Sequence, residues 1–176
     1  MKGTDGFVQA YKAQVVVEES CQLIVAQSVT QEANDKKQTI PMVELIKEQS
    51  GQVPTQLLAD SGYCSDENLT ILENKPVDVY IATGRQKHGK RNQHCKPGPL
   101  PKDATRVEKM ARKLQTKAGS DIYAARKSIV EPVFGQIKHA RGFRQFLLRG
   151  IKKVKGEWAL VCATHNILKI YRLCYS

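Results

Sequence analysis

The chain has 176 residues, 41% of them hydrophobic, so it is long and apolar enough to bury a core without disulfide bonds. This composition excludes a disordered chain, a collagen-like repeat and a coiled coil. The 28 Lys and Arg residues against 17 Asp and Glu residues leave a formal net charge of +11, which indicates a polyanionic partner, most often nucleic acid.

The first half of the chain alternates strand and helix patterns. The predicted strands are residues 11–18, 21–29, 54–59 and 77–82, and the predicted helices are residues 38–49 and 65–74. The polar pair Glu19-Ser20 joins the first two strands, which predicts a β-hairpin. Gly51 ends the first helix, and Ser65 caps the second.

The second half of the chain is predicted to be helical after an irregular basic insertion. Prolines and glycines interrupt residues 84–102, and helices follow from Asp103 to about Lys117, over residues 122–139 and over residues 152–173. These patterns predict an α/β fold with a mixed sheet. The predicted regions are 1–83 for the sheet half, 84–120 for the basic insertion and helix, and 121–176 for the C-terminal helices of the same domain.

The charge is divided unevenly along the sequence. Residues 1–83 carry six basic and twelve acidic side chains, residues 84–117 carry eleven and two, and residues 126–155 carry nine and one. A solvated surface that merely keeps the protein soluble is one interpretation, but a division this sharp favours nucleic-acid contact.

The sequence also bears on membrane association and on the cellular compartment. The longest apolar run, Trp158 to Ala163, is far shorter than the roughly 20 residues that span a membrane, so no membrane partner is predicted. The five cysteines form no C-x-x-C pair, which favours reduced thiols in a cytoplasmic protein over a structural metal site.

Two carboxylates stand out as candidate catalytic residues. Asp60 directly follows a predicted strand, where ligands of open α/β sheets bind, although a turn or helix-capping role is the alternative. Glu131 is the one acid in a basic stretch, and helical spacing puts Tyr123, Lys127 and Lys138 on its face. Such a cluster suits a divalent metal beside a phosphate, whereas the alternative is a surface ion pair between Lys127 and Glu131.

The motifs resemble those of the DDE transposases of bacterial insertion sequences. The resemblance lies in the segment Leu58-Ala59-Asp60-Ser61-Gly62-Tyr63, in residues 123–138 and in the tail that includes Arg141-Gly142-Phe143-Arg144 and Glu157-Trp158-Ala159-Leu160. It implies an RNase H-like fold, a bacterial cytoplasmic location at the nucleoid, and Mg²⁺ or Mn²⁺ held by three acids. The implied activity is metal-dependent cleavage and strand transfer on element-end and target DNA.

The resemblance also implies roles for individual residues. Asp60 would be the second acid and Glu131 the third, both metal ligands. A tyrosine–arginine–glutamate–lysine signature that grips DNA phosphates would fall on Tyr123, Arg126 or Lys127, Glu131 and Lys138. The family places three residues between the arginine and the glutamate, whereas Arg126 has four, so Lys127 is the alternative at that position. Arg141 and Arg144, in the same basic stretch, are further predicted DNA contacts.

The first acid of the family has no clear counterpart in this sequence. Glu18 and Asp5 are the nearest candidates, but Glu18 stands beside Glu19-Ser20 and is interpreted as a hairpin turn residue. We therefore expect a C-terminal part of such an enzyme, without the first strand of the sheet and with little or no activity alone. The alternatives are a non-catalytic DNA-binding remnant and an RNase H-like nuclease. An exposed sheet edge at the hairpin would favour a homo-oligomer.

Overall fold

The computed structural model describes residues 2–3, 6–7, 10–84, 98–101 and 103–175, and the chain forms two compact units. Unit 1 consists of the described parts of Met1–Ala33, Glu48–Ser50 and Lys127–Ser176. Unit 2 consists of Asn34–Lys47 and the described parts of Gly51–Arg126. Each unit has a hydrophobic core of its own.

Short strand pairs and five α-helices make up the described fold. The strands are β1 (Lys2–Gly3), β2 (Gly6–Phe7), β3 (Lys12–Val17), β4 (Ile24–Thr30), β5 (Gln56–Ala59) and β6 (Asp78–Ile81). The helices are α1 (Thr39–Ser50), α2 (Asp66–Glu73), α3 (Arg106–Gln115), α4 (Lys117–Gly135) and α5 (Ile151–Tyr175). Two 3₁₀ turns, Lys36–Gln38 and Ser61–Tyr63, and a π-helical turn, Gln136–Ala140, complete them.

The predicted α/β class is confirmed at the level of small sheets with flanking helices. Strands β1–β2 and β3–β4 pair antiparallel, and β5–β6 pair parallel. Among the described residues these are three separate two-stranded sheets, not one mixed sheet. The RNase H-like arrangement therefore stays a prediction.

Most predicted elements match the observed ones, but two begin elsewhere: β4 begins at Ile24, three residues after the predicted start at residue 21, and α4 begins earlier than predicted. Helix α1 ends at Gly51, whose φ of +70° favours glycine, and Ser65 Oγ caps α2 by accepting from the Asn68 N–H. Helix α4 begins at Lys117, five residues before the predicted start at residue 122. Residues 85–97 and 102 of the predicted insertion lie outside the described part of the chain.

Trp158 occupies the centre of the core of unit 1. Its ring is buried and lies 6.1–6.4 Å, centroid to centroid, from those of three phenylalanines, Phe134, Phe143 and Phe146. Its indole Nε1 donates to the Gln14 carbonyl of β3 at 3.2 Å, so the polar edge of the ring is satisfied inside the core. The indole thereby binds α5 to the hairpin through both apolar and polar contacts.

Gln22 compensates for a hydrogen bond that Pro132 removes from α4. Proline has no N–H, so residue 132 cannot donate to the Ser128 carbonyl four residues earlier. The Gln22 side chain, in the hairpin turn, supplies the donor instead, with Nε2 at 3.0 Å from that oxygen. The backbone of Gln22 is left-handed, with φ of +58°, so the turn holds a conformation that non-glycine residues adopt infrequently.

Helix α5 holds the same turn from another direction. His165 donates from Nε2 to the Gln22 carbonyl at 3.1 Å, and Lys169 Nζ lies 2.8 Å from Gln22 Oε1. The Asn166 side chain accepts from the Ile24 N–H and donates to the Ile24 carbonyl, both at 2.8 Å. Three side chains on adjacent turns of α5 therefore fix the hairpin to this helix.

In unit 2, β5 and β6 lie in a core with α1, α2 and α3, and Asn68 joins the surrounding loops. Its buried side-chain amide donates to the Lys36 carbonyl at 2.7 Å, and to Thr39 Oγ1 and the Tyr63 carbonyl at 2.9 Å. These acceptors belong to, or directly follow, the two 3₁₀ turns. The amide thus fixes the backbone that follows Asp60.

Helix α3 is fixed by ion pairs and a capping box. Thr105 Oγ1 accepts from the Glu108 N–H while the Glu108 carboxylate accepts from the Thr105 N–H. Arg106 pairs with Glu73 at 2.8 Å, and Lys113 pairs with Asp78 and lies 3.9 Å above the Tyr80 ring. Several cations of this basic helix are therefore used within the fold.

The exposed surface of α5 includes several large apolar side chains toward its C-terminus. They are Leu160, Ile167, Leu168, Ile170, Tyr171, Leu173 and Tyr175. None of the helices in the described ranges combines the length and hydropathy that crossing a bilayer requires.

We predict that Gly119 is required at the α3–α4 junction. A Cβ there would overlap the Lys113 carbonyl oxygen and lie 2.9 Å from its carbonyl carbon. Because a backbone group must move to admit it, Gly119→Ala should lower the free energy of unfolding by about 1–3 kcal/mol. Gly156→Ala is the matched control: no heavy atom lies within 4 Å of its Cβ position, so helix propensity should add about 0.5–1 kcal/mol. Urea denaturation measures both, and equal destabilisation would contradict the steric argument.

We also predict that Gln22 and Pro132 are energetically coupled. In Pro132→Ala the new N–H can donate to the Ser128 carbonyl, so the loss caused by Gln22→Met should be smaller by about 0.5–1.5 kcal/mol than in the wild type. A double-mutant cycle from urea denaturation measures this difference. Asn166→Ala, which removes the contacts with Ile24, should combine additively with Pro132→Ala. Additivity of Gln22→Met with Pro132→Ala would show that the Ser128 bond contributes nothing.

Candidate functional site

Asp60 lies at the carboxyl edge of the parallel pair in unit 2. It follows β5 directly, and the Ala82 N–H, just past β6, donates to the Ala59 carbonyl at 3.3 Å, so both strands end at this edge. Asp60 begins the 3₁₀ turn Ser61–Tyr63, but its side chain makes no capping hydrogen bond there. The carboxylate is therefore not committed to the turn, which argues against the helix-capping alternative.

Helix α4 brings two residues of the predicted signature to Asp60. Arg126 Nη2 lies 2.9 Å from Asp60 Oδ1, and the side chains are 18% and 57% exposed, respectively. The Tyr123 hydroxyl donates to the Ala59 carbonyl at 3.3 Å, and the guanidinium carbon of Arg126 lies 5.6 Å from the centre of the Tyr123 ring. The three predicted residues of unit 2 thus form one contiguous cluster.

Two tyrosines near Asp60 remain protonated at neutral pH. Burial raises the pKa of Tyr123; Asp60 raises it further, while the charge of Arg126 and a hydrogen bond from it act in the opposite direction. Burial, with Asp35 and Asp60, raises the pKa of Tyr63 to about 12. Both phenols are therefore neutral groups that can donate hydrogen bonds beside this carboxylate.

Glu131 lies in unit 1 on an exposed part of α4. Its carboxylate has no ion-pair partner among the described residues, so the surface pair with Lys127, the alternative interpretation of this residue, is absent. Lys127 and Lys138 are exposed as well, and Lys138 Nζ lies 5.4 Å from the centre of the Phe134 ring. Lys138 belongs to the π-helical turn Gln136–Ala140, where the angular spacing of an α-helix no longer applies.

The two remaining predicted DNA contacts differ in their surroundings. Arg141 is half-buried, and its guanidinium donates to the Val161 carbonyl at 3.1 Å and to Thr164 Oγ1, so it fixes the segment after the π-helical turn to α5. Arg144 is exposed, and its Nε lies 3.4 Å from the Lys138 carbonyl. This structural use of Arg141 was not predicted from the sequence.

Glu18 is bound within the hairpin turn of unit 1. Its carboxylate accepts from the Ser20 N–H at 3.1 Å and the Ser20 hydroxyl at 2.7 Å, and from the N–H of Cys21. The interpretation of Glu18 as a turn residue is confirmed by these bonds. Asp5, the other candidate for a first acid, lies outside the described residues.

Asp35 is a neighbour of the Asp60 turn that sequence reasoning missed. A Cβ on Gly62 would lie 3.3 Å from Asp35 Oδ2, so glycine at that position admits the carboxylate close to the backbone. The electrostatic effect of Asp35 on Tyr63 places the two in the same neighbourhood. No spacing pattern links Asp35 to Asp60 along the chain, because the Asn68 amide brings their loops together.

The donor chemistry of the two candidate acids suits a hard divalent cation. Asp60 and Glu131 offer exposed carboxylate oxygens, the ligand type that Mg²⁺ and Mn²⁺ prefer. The described ranges contain no group of three or more His, Cys, Asp or Glu side chains that could hold a metal ion. Each acid is therefore a candidate ligand that would need further donors.

Comparison with known families relates part of this chain to a described protein domain. A family model described as the transposase DDE domain matches residues 83–171, about half of the chain. The matched range includes α4 with its Tyr123, Arg126 and Glu131, whereas Asp60 precedes it. No curated protein and no solved structure matches the chain.

We predict that Glu18 stabilises the hairpin in a pH-dependent way. Burial alone would raise its pKa, but hydrogen bonds from Ser20, Cys21 and Leu23 outweigh burial and lower the pKa. A lowered pKa means that the stabilisation is present above the unfolded value of 4.5 and is lost as the pH falls through the folded value. Urea denaturation between pH 7 and pH 3, roughly the titration range of a carboxylate, should therefore show a smaller loss for Glu18→Gln than for the wild type.

Glu19→Gln, at the neighbouring exposed acid, is the matched control for the loss of one negative charge. An identical pH dependence for Glu18→Gln and the wild type would contradict the turn role.

Proposed function

The chain belongs to the DDE transposase family, and from that premise we propose that it acts on DNA in transposition, with Asp60 and Glu131 as acids of metal-dependent phosphoryl transfer. The family supports DNA as the partner and a divalent metal as the cofactor. The assignment of individual residues is our own and comes from their surroundings.

The observation that carries the proposal is the cluster around Asp60. A carboxylate at the carboxyl edge of a parallel strand pair, exposed and without a capping bond, is suited to ligand binding. Tyr123 and Arg126 reach it from α4 in the order of the family signature.

The exposed cations of the basic stretch are the proposed phosphate contacts. Lys127, Lys138 and Arg144 are exposed, and no ion pair engages them among the described residues. Such contacts position DNA and supply affinity, but they do not read its sequence. Arg141, which is bonded to α5, would contribute less than the three exposed side chains.

Each acid would act through its carboxylate oxygens. Divalent metals bound by such acids activate an attacking hydroxyl and stabilise the leaving oxygen. Asp60 would bind through its exposed carboxylate, and the neutral Tyr123 hydroxyl would hold the end of β5 beside it by donating to the Ala59 carbonyl. Glu131, which is exposed and has no ion-pair partner in the described part of the chain, is available to a cation.

A second candidate function is DNA binding without cleavage. It is favoured by the Arg126 side chain on Asp60, which uses one oxygen of the proposed metal ligand, and by the use of Glu18 within the hairpin turn. An RNase H-like nuclease, which cuts DNA without joining ends, is a related alternative.

We predict that the exposed cations of the basic stretch dominate DNA affinity. Lys127→Gln and Lys138→Gln should each weaken duplex binding and reduce the logarithmic salt dependence by about one unit. Lys47→Gln, at an exposed lysine of the acidic half, is the matched control and should change neither quantity. Fluorescence anisotropy at a series of salt concentrations measures both, and equal effects of all three changes would contradict a localised DNA interface.

We predict that any Mn²⁺-dependent nicking of supercoiled plasmid depends on both acids. Asp60→Asn and Glu131→Gln should each abolish it while leaving duplex binding intact, because they remove ligands and not phosphate contacts. Nicking that survives both changes would contradict the catalytic assignment. Intact, metal-independent binding with no nicking would support the second candidate, and cut products that are never joined would support a nuclease.

A further inference from the structure

We propose that Arg126 competes with the divalent metal for Asp60, and that a DNA phosphate, by binding Arg126, releases Asp60 for the metal. This regulation rests on the proposed function, because it concerns the same carboxylate. It makes metal binding and phosphate binding at this site mutually dependent.

The first step of the argument is that Arg126 already neutralises Asp60. The 2.9 Å contact between Nη2 and Oδ1 is a charge-assisted hydrogen bond, made by a side chain that is mostly buried. A divalent cation at the same carboxylate would lie next to a fixed positive charge. Like charges repel each other strongly at such short range, so the bound guanidinium lowers the affinity of Asp60 for a metal.

The second step is that the ion pair can be displaced. The Asp60 side chain is 57% exposed, so water and ions reach the carboxylate. Asp60 makes no capping bond that would fix it in this position. The carboxylate can therefore exchange one positively charged partner for another.

The third step is that Arg126 is not fully satisfied by Asp60. Its Nε is buried and has no hydrogen-bond acceptor in the part of the chain that the structure describes. A guanidinium presents several donors in a planar fork that matches two oxygens of a phosphate. A phosphate could therefore accept hydrogen bonds that Asp60 leaves unmade, which favours transfer of Arg126 from the carboxylate to DNA.

These steps give a reciprocal coupling. The phosphate binds more tightly when Arg126 has left Asp60, and the metal binds more tightly in the same state. Each ligand therefore raises the affinity of the site for the other by the same factor. Lys127, which is exposed and next in sequence, has no such partner among the described residues and would not take part. The proposal thus distinguishes the two residues that compete for the arginine position of the signature.

The test is the affinity of the full chain for Mn²⁺ alone, measured from the electron paramagnetic resonance signal of free Mn²⁺. Arg126→Gln should bind Mn²⁺ about fivefold more tightly than the wild type, equivalent to about 1 kcal/mol. Lys47→Gln, which removes the same charge at an exposed lysine of the acidic half, should change the affinity less than about twofold, because screening weakens an exposed charge. Equal or weaker binding by Arg126→Gln would overturn the proposal.

A second arm needs no substitution in the competing pair. Sulfate, a stand-in for a phosphate group, should tighten Mn²⁺ binding by the wild type when chloride holds the ionic strength constant. The same addition should leave Arg126→Gln unchanged, because the competing guanidinium is gone. No effect of sulfate on the wild type, or an equal effect on both proteins, would overturn the coupling, even if Arg126→Gln were to unfold.

Asp60→Asn separates this proposal from the function on which it rests. If Asp60→Asn binds Mn²⁺ as the wild type does, Asp60 is not a metal ligand, and both proposals are overturned. If Asp60→Asn loses Mn²⁺ binding while Arg126→Gln gains none, the metal role of Asp60 stands and only the competition is overturned.

Discussion

The hydrogen bond between Gln22 and the Ser128 carbonyl joins the hairpin of unit 1 to the helix that carries Glu131. Pro132 is the reason that a side chain can take this place, because a proline within a helix has no N–H to donate to the carbonyl four residues earlier. Because the donor comes from a turn that α5 also binds, through His165 and Lys169, the hairpin, α4 and α5 share one polar junction. The aromatic core around Trp158 lies among the same elements.

Asp60, the candidate acid of unit 2, has different surroundings from those of Glu131. Asp60 follows a strand and is left exposed, while the Asn68 amide fixes the turn behind it and α4 supplies Tyr123 and Arg126 beside it. The backbone around the carboxylate is thus held firmly, whereas the carboxylate itself is held by one ion pair. Rigid surroundings with an exchangeable partner are what a ligand-binding acid requires.

Sequence patterns predicted most elements because apolar spacing and capping residues act locally. Gly51, Ser65 and the hairpin pair Glu19-Ser20 each act within a few residues of their own position. The patterns could not predict contacts between residues that are distant in sequence. The hydrogen bonds of Arg141 to α5 and the approach of Asp35 to Gly62 both depend on tertiary packing. The prediction that Lys138 shares a helical face with Glu131 assumed α-helical spacing. That spacing ends before Lys138, which lies in the π-helical turn.

The position of Trp158 has a spectroscopic consequence. It is the one tryptophan of the 176-residue sequence, and it is buried in the core of unit 1, while Tyr63, Tyr80 and Tyr123 belong to unit 2. Indole fluorescence therefore reports the loosening of unit 1, whereas far-ultraviolet circular dichroism averages over the helices of both units. Whether the two signals change together during denaturation shows whether the units melt as one cooperative body or in succession.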